Sequence, residues 1–265
     1  MNVKKFAIRL DQFLAASSLL RRNTGESDTV FFPGCSLMGY NPGYVFMIRD
    51  YLNKKLGSQI GMLTGCCAKP LKLLGDSKIF ARNHDRLKRD LDLMKAKRII
   101  TACQNCYRIL RKYQHDREIL SLWPLMAELD LPEGLKGKYS GLEASVQDSC
   151  SGTQEIAQSV REMLSYMGVK IHEFEKKFKC CGGIQAITTG SRQSMIERAN
   201  ESPCELIISY CASCRSAMSA GHKSIHILDL ILGNGEVSQK KFNLLNRFIT
   251  AHTLKIRRGH HGHKS

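Results

Sequence analysis

The chain has 265 residues, 43% hydrophobic and 24% charged, with 40 Lys and Arg against 24 Asp and Glu, a formal charge of +16. That composition belongs to a globular protein long enough for one large domain or two ordinary ones, and no apolar run approaches the roughly 20 residues of a membrane-spanning helix. The charge excess would ordinarily point to a polyanion, but eleven cysteines change its meaning, because metal-bound cysteines are thiolates that cancel positive charge. Residues 1–28 read as a basic amphipathic extension. Arg9 and Asp11 break its apolar stretch, and Arg21 and Arg22 stand where a signal peptide would have small residues. A helix with Phe6, Leu10, Phe13, Leu14 and Leu20 mostly on one face is expected there, docked on a partner or on the body of the chain, with a membrane surface as the other choice.

Thr29–Phe32 reads as a short strand leading to Cys35, and Gly43–Leu56 as a helix stopped by Gly57. Ile60–Leu63 reads as a second strand and Arg98–Ala102 as another, with a helical stretch before it. Pro132–Gly141, holding Gly134, Gly137 and Gly141, reads as a linker. The series then returns: strand Ala144–Gln147, helix Gln154–Met167 stopped by Gly168, strand Val169–His172 and strand Leu206–Tyr210. The last segment, 236–265, carries seven Lys or Arg and one Glu, ends GHHGHKS, and reads as a mobile, solvated basic tail.

The chain is therefore one unit written twice, at 29–131 and 142–235. Strands alternating with helices favour parallel sheets with helices on their faces. The expected fold is α/β: two similar α/β units with mostly parallel sheets, related by pseudo-twofold symmetry. In such sheets functional groups collect at the carboxyl ends of the strands.

The cysteines lie there. Cys35, Cys66, Cys67, Cys103 and Cys106 form one set; Cys150, Cys180, Cys181, Cys211 and Cys214 form the other. The gaps are 30, 35 and 2 residues in the first and 29, 29 and 2 in the second. A Cys-x-x-Cys between strand and helix aims two sulfurs at one centre, and the helix N-terminus behind it stabilises thiolates. Adjacent cysteines suit two irons of one polynuclear group. Zinc uses four ligands and leaves a fifth cysteine over in each half; a thioredoxin-type redox pair leaves more. Without an export signal the cysteines do not read as a disulfide framework. Iron–sulfur leads, with zinc and thiol redox open. Cys204 falls outside both sets.

The motifs FFPGCS, GCCAKPLKLLGD, TACQNCYR, DSCSG, CCGG and SYCASCR make the chain resemble, over about residues 29–233, the duplicated cysteine-rich CCG-domain family, which includes the B-type component of heterodisulfide reductase and iron–sulfur subunits of glycolate and lactate oxidation systems. The resemblance implies two noncubane 4Fe-4S clusters, one on each five-cysteine set, and cleavage of a disulfide substrate at them. The first motif departs from the family pattern at Ala68, where the family has glycine. Alanine keeps the ligands, but a positive-φ turn there would be strained, which leaves zinc open at the first site.

A ferredoxin-type cysteine run and a G-x-G-x-x-G are both missing, so electrons are expected from a ferredoxin-like or other iron–sulfur partner subunit. The leading function is an iron–sulfur redox subunit that reduces a small disulfide. The alternatives are a relay subunit of an organic-acid or quinone-linked oxidoreductase and, more remotely, a zinc-stabilised basic binder of nucleic acid. Lys69 reads as solvated or as a guide for an anionic substrate, and His84, His115 and His172 as ordinary histidines. The expected location is the cytoplasm, at the membrane only through a complex.

Overall fold

The computed structural model describes residues 3–233 and 243–261. Two compact units divide it: residues 1–120 together with 242–265, and residues 121–241.

The first unit begins with α1 (Val3–Ala16), then β1 (Thr29–Phe32), α2 (Cys35–Tyr40), α3 (Pro42–Leu56) and β2 (Gly61–Met62). It continues through α4 (Lys69–Leu73), α5 (Ser77–Leu93), β3 (Arg98–Thr101), α6 (Gln104–Tyr113) and β4 (Glu118–Ser121), whose last residue begins the second unit. The sheet order is β2-β1-β3-β4, with β1 parallel to both of its neighbours. The local causes are plain in α3. The Asn41 side chain caps it by accepting from the Gly43 amide at 2.9 Å, Pro42 stands at its start, and Gly57 closes it at φ 63°. In α5, Phe80, Leu87 and Leu91 recur at helical spacing and are buried against Val30, Ile99 and Leu110.

The second unit begins with α7 (Leu122–Glu128) and runs through β5 (Glu143–Gln147), α8 (Gln154–Tyr166), β6 (Lys170–His172), α9 (Gly183–Thr189) and α10 (Gln193–Asn200). Then come β7 (Leu206–Ser209), α11 (Ala212–Met218), β8 (Lys223–His226) and α12 (Ile227–Ile231). Its sheet order, β6-β5-β7-β8, repeats that of the first, and each strand runs parallel to its neighbours. The central strand β7 is buried along its whole length, as a strand covered on both faces must be. The two similar units with parallel sheets are thus as the sequence leads one to expect.

Three expectations change. The break between units falls at 120/121 rather than in the glycine-rich stretch, so α7 packs with α8 in the second unit. The 132–141 stretch is held by backbone bonds, Gly137 N–H to Tyr166 C=O at 2.9 Å and Tyr139 N–H to Met167 C=O at 2.8 Å. The basic tail is not solvated throughout: α13 (Leu244–His261) packs on α2 and α3 and buries Arg247, Thr250, Ala251 and Leu254 along one side. The expected start of the tail at 236 and its last histidine, His263, lie outside the described residues. Among the described side chains of α1, Gln12 and Ala15 are buried, while Phe6, Leu10 and Phe13 are exposed and Leu20 is buried beyond the end of the helix. That face is therefore not docked on the body of the chain.

No described helix is long and apolar enough to cross a membrane.

Candidate functional site

Parallel strands bring all their carboxyl ends to one edge, and both cysteine sets follow strand ends. In the first unit Cys35 opens α2 after β1, and Cys66 and Cys67 follow β2. Cys103 caps α6 after β3, with Cys106 in that helix's first turn. In the second unit Cys150 follows β5, Cys180 and Cys181 precede α9, and Cys211 caps α11 with Cys214 in its first turn. The strand residue two places before each Cys-x-x-Cys braces it: the Cys103 amide donates to Thr101 Oγ1, and the Cys211 amide to Ser209 Oγ, both at 3.4 Å. None of the cysteines is in a disulfide.

The first five thiols form one chain. Cys35 Sγ donates to Cys66 Sγ at 3.3 Å, Cys66 and Cys106 each bond to Cys67, and Cys106 bonds to Cys103. In the second set the same pattern joins Cys180 to Cys181, Cys181 to Cys214 and Cys214 to Cys211. In both sets the lone cysteine and the first of the adjacent pair are half-buried, and the other three are buried.

These contacts set the charge. The bond to Cys66, burial and the negative charge of that neighbour hold the Cys35 thiol well above its ordinary value. For Cys66 the bond from Cys35 works downward, but Cys67 and burial outweigh it and push the thiol up to about 12. Cys67 goes the other way, to about 6, because Cys106 and Cys66 both donate to its sulfur against the cost of burial. The bonds to its neighbours and burial push Cys106 up, and likewise Cys214. Left to themselves, the thiols can hold little negative charge side by side.

Glycine and alanine shape the turns. Gly34, at φ 78°, lets β1 turn into α2, and a Cβ there would come within 3.0 Å of Cys103 Cβ and Cys106 Sγ. Ala68 caps α4 at φ 60° and Gly182 caps α9 at φ 78°, so the positive-φ turn expected after each cysteine pair is present in both units. Lys69 is half-buried, and its Nζ donates to Asn105 Oδ1 at 2.5 Å, tying α4 to the Cys-x-x-Cys turn.

Several residues around the sets carry no sequence signal. Gln12 Oε1 accepts from Cys66 Sγ at 3.3 Å. In the second unit His226, at the end of β8 beside Ser209, is fully buried, and burial pushes its pKa down to about 4, against the pull of Asp229 and Cys211. Tyr210 donates to Asp148 Oδ1 at 3.3 Å and accepts from the Ser149 amide at 3.1 Å. Arg161 holds Asp148 through both of its terminal nitrogens. These groups have no equivalent in the cysteine pattern, and only three-dimensional proximity reveals them. Cys204 is half-buried, apart from both sets, with its amide bonded to Ser202 Oγ at 3.2 Å. His172 pairs with Glu143 at 2.8 Å and His115 is exposed.

The donor set fits a polynuclear cationic group. Five soft thiols per unit, able to share only part of a negative charge unaided, match a group that supplies several positive centres. Among the described residues no three Cys, His, Asp or Glu side chains converge on a point that would hold one metal ion.

Comparison with known proteins agrees with this layout. The cysteine-rich CCG domain matches residues 29–111 and again 144–219. The chain belongs to the cysteine-rich CCG domain family. The two matched segments contain the two cysteine sets between them. The chain is also 25% identical, over 230 residues, to one subunit of the dihydromethanophenazine:CoB–CoM heterodisulfide reductase of Methanosarcina mazei, covering 76% of this chain and 56% of that protein. It thus spans little more than half the length of that relative. Among solved structures, an aspartate racemase homologue from Pyrococcus horikoshii aligns at 13% identity and TM-score 0.32, covering 88% of this chain and 100% of that one. The aspartate racemase of Picrophilus torridus aligns at 9% and 0.33, covering 84% and 100%. Likeness at that level assigns nothing.

Proposed function

We propose that the chain is an iron–sulfur redox subunit of the heterodisulfide reductase kind, and that it reduces a small disulfide with electrons from a ferredoxin-like or other iron–sulfur partner subunit. The observation that carries the reading is the recurrence, in two units of the same topology, of five thiols outside any disulfide at the carboxyl edge of a parallel sheet. Membership of the cysteine-rich family and the similarity to a heterodisulfide reductase component support it.

Cys35, Cys66, Cys67, Cys103 and Cys106 would hold one cluster of the noncubane 4Fe-4S type, and Cys150, Cys180, Cys181, Cys211 and Cys214 the other. A group of that kind supplies one-electron storage and an iron that a sulfur can meet. The chain's own residues do the rest. The buried cysteines Cys67, Cys103, Cys106, Cys181, Cys211 and Cys214 sit among apolar side chains, which keep water from the inner side. The half-buried Cys35, Cys66, Cys150 and Cys180 mark the side a small molecule approaches. The N-termini of α6 and α11 direct backbone amides and a positive dipole end toward the negative charge.

Reduction of a disulfide takes two electrons and two protons and releases two thiols. The test is to load the chain with iron and sulfide anaerobically, reduce it, remove the reductant and add oxidised glutathione or cystamine. The reading predicts that the reduced signals decay with about two thiols appearing per two electrons lost. Signals that persist while passing electrons to a ferredoxin would leave a relay and contradict the substrate part of the reading.

A further inference from the structure

Two helices from opposite ends of the first unit's sequence meet beside the first cysteine set. Cys35 Sγ donates to Cys66 Sγ at 3.3 Å, and Cys66 Sγ donates to Gln12 Oε1 at 3.3 Å. Gln12 Nε2 donates to Asp11 Oδ2 at 3.0 Å, and Asp11 Oδ1 accepts from Arg247 Nη1 of α13 at 2.5 Å. While the sulfurs carry their protons, an unbroken polar line joins a guanidinium to two sulfurs; once they are thiolates, what carries over is the nearness of the charge. Arg247 is fully buried, whereas its carboxylate partner is 36% exposed.

Taking a cation out of water costs several kcal/mol, and a half-solvated carboxylate answers only part of that. An apolar side chain would pack α13 without the cost. Negative charge on the sulfur side, joined to it through Gln12 and Asp11, adds to what the carboxylate supplies.

We propose that Arg247, aligned by Asp11 and Gln12, is a positioning residue of the first metal centre whose buried charge raises that centre's reduction potential. One-electron reduction adds one negative charge to the group, and a fixed cation in a low-dielectric site stabilises the reduced form more than the oxidised one. The inference rests on the reading of the five-cysteine sets as iron–sulfur ligands.

The test is an EPR-monitored redox titration of the full chain, loaded with iron and sulfide. The two centres' signals are told apart by their loss in Cys67→Ser or Cys181→Ser. Arg247→Gln is expected to shift the first centre's midpoint to lower potential, and Asp11→Asn to shift it higher, since it removes a negative charge and leaves the cation. Arg247→Lys, which keeps the charge, is expected to stay nearer the wild type than Arg247→Gln, and the second centre should not move in any of the three. Opposite shifts from the two ends of one ion pair are what a merely structural contact would not produce. Shifts in the same direction, or an unmoved midpoint in Arg247→Gln, overturn the proposal. Should Arg247→Gln fail to fold, the sign of the Asp11→Asn shift decides alone. A wild-type chain that takes up no iron and sulfide overturns the functional reading itself, an outcome separate from loaded centres whose potentials ignore the charge.

Discussion

Ala68 and Gly182 take the same step after the paired cysteines, at φ 60° and 78°, but their surroundings differ. A Cβ on Gly182 would lie 2.5 Å from the Ser194 carbonyl carbon and 2.6 Å from the Met195 amide, so α10 leaves no room for one. Ala68 already has its Cβ, buried in the core of its unit, and carries only the left-handed strain of about 1–2 kcal/mol. Gly182→Ala should therefore cost about 2 kcal/mol or more, from strain and backbone overlap together. Ala68→Gly should change stability by about 1 kcal/mol or less, since relief of strain is offset by the freedom glycine gains when unfolded. Thermal unfolding of the two variants checks both, and equal losses would contradict the distinction. The placement of the ten cysteines after strand ends was legible in sequence because repetition singles out spacing. Gln12, Arg247 and His226 were not, because nothing in a one-dimensional pattern brings residue 12 or 247 to residue 66, or tells a histidine at a strand end from one in a loop.

At the scale of elements, the strands and the helices between them followed from alternation, glycine stops and apolar spacing. In α1 the apolar periodicity is real but turned away from the body of the chain. What holds it is polar: Gln12 on Cys66, Asp11 with Arg247, and Arg9 bonded to both oxygens of Asp76, at 2.8 Å each. Periodicity reports that a helix has two faces, not which one is covered.

His84 on α5 shows a destabilising feature inside an element. Its ring packs between Phe80 and Tyr113, at 5.7 and 5.0 Å, and its Nε2 is buried with no hydrogen-bond partner among the described residues. Burial pushes its pKa below the ordinary value. The folded state thus binds a proton less readily than the unfolded one, so its contribution is complete above about pH 6.5 and declines as the pH falls below it. His84→Gln should flatten the dependence of the first unit's stability between pH 7 and 5, as chemical denaturation at each pH would measure. An unchanged slope would contradict it.

Across the whole molecule the chain leaves the first unit at residue 120 and returns to it at 242. The sequence hid this exchange because α7 reads as the end of the first repeat. Its Trp123, the chain's one tryptophan, is buried in the second unit against Tyr210 and His226, at 6.3 and 5.7 Å. Tryptophan emission therefore follows the second unit. Deleting residues 243–265 should cost the first unit roughly 2–3 kcal/mol, the scale of the buried Ala251 and Leu254. It should also speed alkylation of Cys35 and Cys66 while leaving the tryptophan transition in place. A tryptophan midpoint that falls with the deletion would contradict the division into units.

The most direct test of the central claim is iron, sulfide and zinc analysis of the anaerobically purified full chain, beside Cys67→Ser and Cys181→Ser. Two four-iron centres predict about eight irons and eight sulfides per chain, falling by about half in either variant. Zinc with negligible sulfide, or disulfides joining the ten cysteines, would contradict the account.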